Sequence, residues 1–140
     1  MSSVSSSLLF LLNLAKAQSV MMRKFDSRLG GGIGFSDFMI LYFLSQAEDG
    51  RMRRIDLADS IGLTASGVTR QLAPMEKIGL VSREVDSRDA RVSYVMLAPG
   101  GRRLLSEKIE KAEMLAQEVI PASKRRQVES ASDIIKDIAR

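Results

Sequence analysis

From Arg53 to Leu97 the residue pattern changes from helical to turn to helical and then to strand, and this order restricts the fold more than any other feature. Arg54-Ile55-Asp56-Leu57-Ala58-Asp59-Ser60-Ile61 predicts a short helix that Gly62 stops, since glycine adopts positive φ at little steric cost. Leu63-Thr64 leads into a second helix that opens Ala65-Ser66-Gly67-Val68-Thr69-Arg70-Gln71-Leu72. The runs Leu80-Val81-Ser82-Arg83-Glu84-Val85 and Val92-Ser93-Tyr94-Val95-Met96-Leu97 then predict two strands around the loop Asp86-Ser87-Arg88-Asp89-Ala90-Arg91. The order is that of a helix-turn-helix followed by a wing.

Each position in the turn has a physical role. Ala58 is small enough to let the second helix cross the first. Val68 is the apolar residue that locks the crossing, with Leu57, Ile61, Leu63 and Leu72 around it. Thr64 suits an N-cap, because its hydroxyl can accept from an N–H of the first turn. Ala65, Ser66, Gly67, Thr69, Arg70 and Gln71 are then the outward residues, small and hydrogen-bonding near a helix N-terminus. Such residues can approach base edges and phosphates closely. The strands favour this reading over a plain helical hairpin. Val81, Arg83 and Val85 alternate with Leu80, Ser82 and Glu84, as in a half-buried strand. The loop is longer and more charged than the Asn-Gly or Asp-Gly turn of a purely structural hairpin. Pro74 lies inside the second helix, where it removes a donor and crowds the carbonyl of Arg70, which predicts a tolerated kink.

Gly79-Leu80-Val81, the Asp89-x-Arg91 pair and Leu97 followed by Gly100 and Gly101 resemble the signature of the MarR family of bacterial transcription regulators. The resemblance covers nearly the whole chain. It implies that Arg91 enters the minor groove and that Asp89 orients it. Asp86 and Arg88 offer the same Asp-x-Arg pattern three residues earlier, so both registers stay open. The family often has Thr after the Leu at position 97, where this chain has Ala98. Pro99 at the first helical position partly compensates.

The 140 residues suit one compact domain, and with 45% hydrophobic residues it can bury a core. The net charge of +4 is mild, but the cations gather at the reading elements: Arg51, Arg53 and Arg54 before the first motif helix, Arg70 on the second, Arg88 and Arg91 on the wing. The first fifty residues balance to zero. There is no Cys, so thiol redox sensing is excluded, and no His, so the commonest acid/base group and metal ligand are missing. No enzyme, metal or cofactor is expected. Gly30-Gly31-Gly32-Ile33-Gly34 has neither a preceding strand nor a following Lys-Ser/Thr, so it predicts a loop rather than a phosphate cradle.

The flanks predict helices. Leu8, Ala15, Met22 and Leu29 fall seven apart in a helix from about Ser5 to Leu29, with Leu11, Leu12 and Phe25 near that stripe. The start lacks the positive charge of a signal peptide, and the apolar run is too short for a membrane span, which needs about 20 residues. A cytoplasmic location without membrane attachment is therefore expected. Pro99 opens a helix with Leu104, Leu105, Ile109, Ala112, Leu115, Val119 and Ile120 on its apolar side, and Pro121 precedes another with Val128, Ala131, Ile134, Ile135 and Ile138. The segment from Leu8 is apolar on nearly every side, more than one winged domain can cover.

The expectation is thus a mainly α chain with a small two- to three-stranded antiparallel wing. Residues 35–98 form a winged helix-turn-helix, and residues 1–34 and 99–140 contribute N- and C-terminal dimerisation helices. Leu8, Leu11, Leu12, Ala15, Val119, Ile134, Ile135 and Ile138 are the expected homodimer interface. Arg53, Arg54 and Thr64 join the outward helix residues and the wing as the interface for a pseudo-palindromic double-stranded operator. A small-molecule effector is expected among Met21, Met22, Phe25, Phe38, Met39, Tyr42, Leu105 and Ile109, which are apolar and lie where helices meet, although for most of them ordinary core packing is the stronger reading. The competing reading is a winged helix for protein contact, which would require an exposed apolar patch on the second motif helix.

Overall fold

The computed structural model describes residues 3–140. The elements run α1 (Ser6–Arg28), α2 (Phe35–Ser45), β1 (Arg51–Arg53), α3 (Arg54–Ile61), α4 (Ala65–Lys77), β2 (Val81–Val85), β3 (Ser93–Leu97), α5 (Pro99–Val119), a 3-10 turn (Ala122–Lys124) and α6 (Arg125–Ile138). The sheet is antiparallel in the order β1-β3-β2, with Met52 opposite Val95 and Arg83 also opposite Val95 across the central strand. The expected mainly α winged helix-turn-helix is what forms, with the wing at three strands.

Local chemistry explains the boundaries. Ser5 starts α1, its hydroxyl accepting from Leu8 N at 3.1 Å. The glycine loop forms the link between α1 and α2, with Gly30, Gly31 and Gly32 all at positive φ. Asp37 closes the N-terminus of α2 by accepting from Gly34 N at 3.0 Å. Gly62 is left-handed (φ 74°), and the turn it makes lets Leu63 N donate to Ala58 O at 2.9 Å. Thr64 caps α4 by accepting from Gly67 N at 3.0 Å, a contact of about 1 kcal/mol. Pro74 does not end α4, which continues to Lys77 with Pro74 on its solvent side.

The core gathers Leu41 and Leu44 of α2, Leu57 and Ala58 of α3, Val68, Leu72 and Met75 of α4, Val81, Val95 and Leu97 of the sheet, and Leu105 and Leu115 of α5. Ala58 and Val68 are both buried at the helix crossing, as their roles require. Leu63 is a correction: it is exposed rather than part of that cluster, because the left-handed turn carries it out beside Gly62. The expected alternation of β2 also fails after its first residue. Val81 is buried but Val85 is exposed, because the strand runs off the body into the wing and has no layer beneath its end.

Gly101 and Gly100 allow the start of α5 to touch backbone. A Cβ on Gly101 would lie 2.0 Å from the carbonyl oxygen of Leu80, and one on Gly100 would lie 2.7 Å from that of Gly79. The same Leu80 oxygen accepts from Ala98 N at 3.0 Å. The end of α4, the root of the wing and the first turn of α5 are therefore locked at main-chain contact.

Two stretches lie outside this packing. Ser6 to Val20 of α1 contributes no buried residue, and Leu8, Leu9, Phe10, Leu11 and Leu12 are exposed. Among the described residues, α6 buries none, although Ile134, Ile135 and Ile138 lie on one side of it. Ser6, Ser7, Phe10 and Leu11 share a groove with Ile134 and Ile138, so the two ends of the chain meet in space.

Candidate nucleic-acid interface

The inward positions of α4 are Val68, Leu72 and Met75, which turns Ser66, Thr69 and Arg70 to solvent. Ser66 Oγ lies 3.3 Å from the capping Thr64 hydroxyl. Thr69 donates to Ala65 O at 2.9 Å and receives Arg54 Nη1 at 3.0 Å. Arg54 is thereby held to α4 from the start of α3.

Two expected readers are placed differently. Gln71 is half-buried and donates to Asp37 Oδ1 at 3.0 Å, so it ties α4 to α2 instead of facing outward. Helical spacing puts residue 71 at the edge of the outward face, and the nearby carboxylate captures it. Gly67 is also half-buried, and its N–H is consumed by the Thr64 cap.

The two Asp-x-Arg patterns of the wing differ in their hydrogen bonds. Asp89 receives Arg91 Nε at 3.1 Å and Arg91 Nη2 at 3.2 Å, a two-pronged contact, and also accepts from Arg91 N at 3.0 Å. The Arg91 side chain is 90% exposed while Asp89 is 38% exposed, so the acid lies behind and the cation is presented. The hydrogen bond from Arg91 holds the Asp89 carboxyl below its ordinary range, helped by Arg53. Asp86 does different work. It accepts from Arg88 N at 2.7 Å and Asp89 N at 3.3 Å, and receives the Tyr94 hydroxyl at 3.3 Å. Its carboxylate builds the loop, and among the described residues it receives no arginine side chain. Arg51 lies 4.0 Å over the Tyr94 ring and 3.3 Å from Glu84, bracing the base of the wing from β1.

Arg53, Arg54, Ile55, Ala65, Arg91, Val92 and Ser93 line one concavity of about 190 Å³. Three guanidinium-bearing residues from two segments, the adjacent Arg53 and Arg54 and the wing's Arg91, thus converge beside the N-terminal residue of α4, an arrangement suited to phosphate oxygens. Arg88 is exposed on the wing loop and is not among these lining residues.

A second concavity, of about 370 Å³, lies between α1, α2 and α5. Five of the expected effector residues line it: Met21, Phe25, Phe38, Tyr42 and Ile109. Met22 and Met39 instead line a separate hollow, shared with Met21, beside the α3–α4 turn. Leu105 is a core residue whose edge borders a third hollow. Phe35, Ala112, Glu113, Ala116 and Ile120 line the 370 Å³ cavity without having been expected, and Val119, expected at the dimer interface, lines it too. Helical period alone could have flagged Ala112, Glu113 and Ala116, which follow Ile109 at spacings of three, four and seven.

The MarR family model matches residues 36–93. The uncharacterized HTH-type transcriptional regulator YdgJ of Bacillus subtilis (strain 168) is 35% identical over 100 residues, 68% of this chain and 58% of that protein, so the match spans little more than half of the relative's length. The crystal structure of the transcriptional regulator BldR from Sulfolobus solfataricus is similar with a TM-score of 0.83 at 27% identity, over 98% of this chain and 99% of that one. Sco3205, a MarR family transcriptional regulator from Streptomyces coelicolor solved in complex with DNA, has a TM-score of 0.86 at 20% identity, over 99% of this chain and 89% of that one. Motif, wing and flanking helices agree with these matches, and the chain belongs to the MarR family.

Proposed function

We propose that this protein is a sequence-specific, double-stranded DNA-binding transcriptional regulator, without enzymatic activity, that works as a homodimer in the cytoplasm. The observation that carries this reading is the convergence of Arg53, Arg54 and Arg91 beside the N-terminus of α4, with Arg91 held by Asp89 and Arg54 by Thr69. Ser66, Thr69 and Arg70 face the major groove, and Arg91 enters the minor groove. Sco3205, which shares the fold, was solved with DNA. The outward face of α4 is polar, which argues against an adaptor that binds protein.

Two copies are required because operators are read as half-sites about 34–36 Å apart. The exposed leucines of α1 and isoleucines of α6 supply the apolar surface for pairing. Repression follows from occupying a promoter. The 370 Å³ cavity is the effector site, since it lies where the pairing helices meet the reading head. A ligand there releases DNA to the extent that it binds one spacing of the heads better than the other.

Selection from a random duplex pool should enrich a pseudo-palindrome. Arg70→Ala should weaken that site by about 1–3 kcal/mol and relax one base position per half-site. Arg91→Ala should cost affinity mainly where the flanks are A·T-rich, because a narrow minor groove concentrates negative potential. Failure of the wild type to enrich any sequence would reject DNA readout and leave the protein-contact reading.

A further inference from the structure

The cavity between α1, α2 and α5 has an unbalanced lining. Phe25, Phe35, Phe38 and Tyr42 contribute aromatic rings. Phe25 and Phe35 sit with centroids 4.6 Å apart, and Phe35 stacks on Phe38 at 6.4 Å. Glu113, an exposed residue, borders this lining from α5, between Ile109, Ala112 and Ala116. No lysine or arginine is among the described lining residues. Among the described residues Glu113 has no ion pair, whereas Arg28 near the end of α1 is bound by both carboxylate oxygens of Glu118, one contact measuring 3.0 Å.

The chemistry of such a lining is selective. Aromatic faces carry negative electrostatic potential and attract cations. A carboxylate at the open edge of an apolar wall repels an anion and attracts a cation, most strongly at low salt. An aromatic acid placed here would bring its charge toward Glu113 with no cationic partner. An organic cation would lay its apolar body on the rings and its charge toward Glu113.

We propose that the effector of this protein is a small, apolar organic cation, selected by Glu113 and the surrounding rings over neutral and acidic compounds of the same shape. The proposal rests on the reading of this cavity as the effector site. The cavity of about 370 Å³ falls at the small end of the range for small-molecule sites.

Three probes of nearly one shape test it with the full-length protein: phenyltrimethylammonium, its neutral isostere tert-butylbenzene, and 4-tert-butylbenzoate. Their affinities are measured by calorimetric titration at low salt, for wild type, Glu113→Gln and the cavity-filling Ala116→Leu. The cation should bind wild type about tenfold tighter than tert-butylbenzene, and the benzoate most weakly. Glu113→Gln should bring the cation to within about twofold of its neutral isostere, while Ala116→Leu should weaken all three. If the benzoate matches or exceeds the cation, or Glu113→Gln leaves the preference intact, the charge selection is wrong while the effector cavity stands. If no probe binds wild type, or binding is unaffected by Ala116→Leu, the cavity reading and this proposal fall together.

Discussion

The reading head and the two ends of the chain are built on opposite principles. From Leu41 through Leu97 the apolar residues of α2, α3, α4 and the sheet find each other, and the head closes over Leu57, Val68 and Val95. The first half of α1 and all of α6 carry comparable apolar side chains and find almost nothing: Leu12 is 54% exposed and Ile134 53%. The difference teaches that the head covers its apolar side chains within one chain, while the ends leave theirs in water. Apolar surface left in water at about 25 cal/mol per Å² is a standing free energy for association.

The largest test strikes the ends. Leu12→Asp would bury an unpaired carboxylate in a paired surface, and should cost about 3–5 kcal/mol of association. Sedimentation should show the variant as monomer or aggregate, while its reading head keeps its fold. A Leu12→Asp protein that remains a dimer with unchanged melting would break the contrast drawn above.

Gly101→Ala strikes the head instead. The new methyl would meet the Leu80 carbonyl oxygen 2.0 Å away, and a backbone atom cannot swing aside. The expected loss is about 1–3 kcal/mol or somewhat more, seen as a lower denaturant midpoint, with the oligomeric state unchanged. Equal stability would show that the α5 start can slide over the wing root, and that the head is looser than its packing indicates.

The smallest expected effect is that of pH. Arginine hydrogen bonds hold the carboxyls of Asp89 and Glu118 below their ordinary range, and the chain has no His or Cys. A depressed folded value means the pair's contribution is fully present above the unfolded carboxylate value of roughly 4 and is lost only as pH falls through the depressed one. DNA affinity at fixed ionic strength should therefore stay constant from about pH 6 to about pH 8. A change beyond about threefold in that window would reveal a titrating group in the head that these contacts do not contain.

What could be read from residue order follows the same division. The helix-turn-helix was legible because its requirements are local: Gly62 needs a left-handed turn, Thr64 needs a free N–H, and Ala58 and Val68 need only each other. β1 is three residues long, too short for a period, and shows itself only by pairing with β3. Gln71 was misplaced because its partner Asp37 is 34 residues away. The wing register stayed open for a related reason. Two Asp-x-Arg patterns are equal on paper, but one aspartate is occupied by loop N–H groups and Tyr94, and only the other meets an arginine side chain. Glu113 escaped notice because an acidic residue is not counted with an apolar face, although its spacing of four from Ile109 sets it beside that face at the aromatic cavity.

The glycine contact at the start of α5 has a mechanical consequence. α5 is one unbroken helix of 21 residues, about 30 Å long at 1.5 Å per residue. Its near end is seated on backbone at Gly79 and Leu80, where α4 ends and the wing begins, and its far end leads into α6. It is a lever with its fulcrum at Gly101. A swing of about 5° there displaces the far end by about 3 Å over that 30 Å length. Conversely, if the cavity holds an effector as proposed, that ligand would sit under the middle of α5, beside Ile109, between fulcrum and free end, where a small displacement of the rod would become a change in the angle at which α4 is presented.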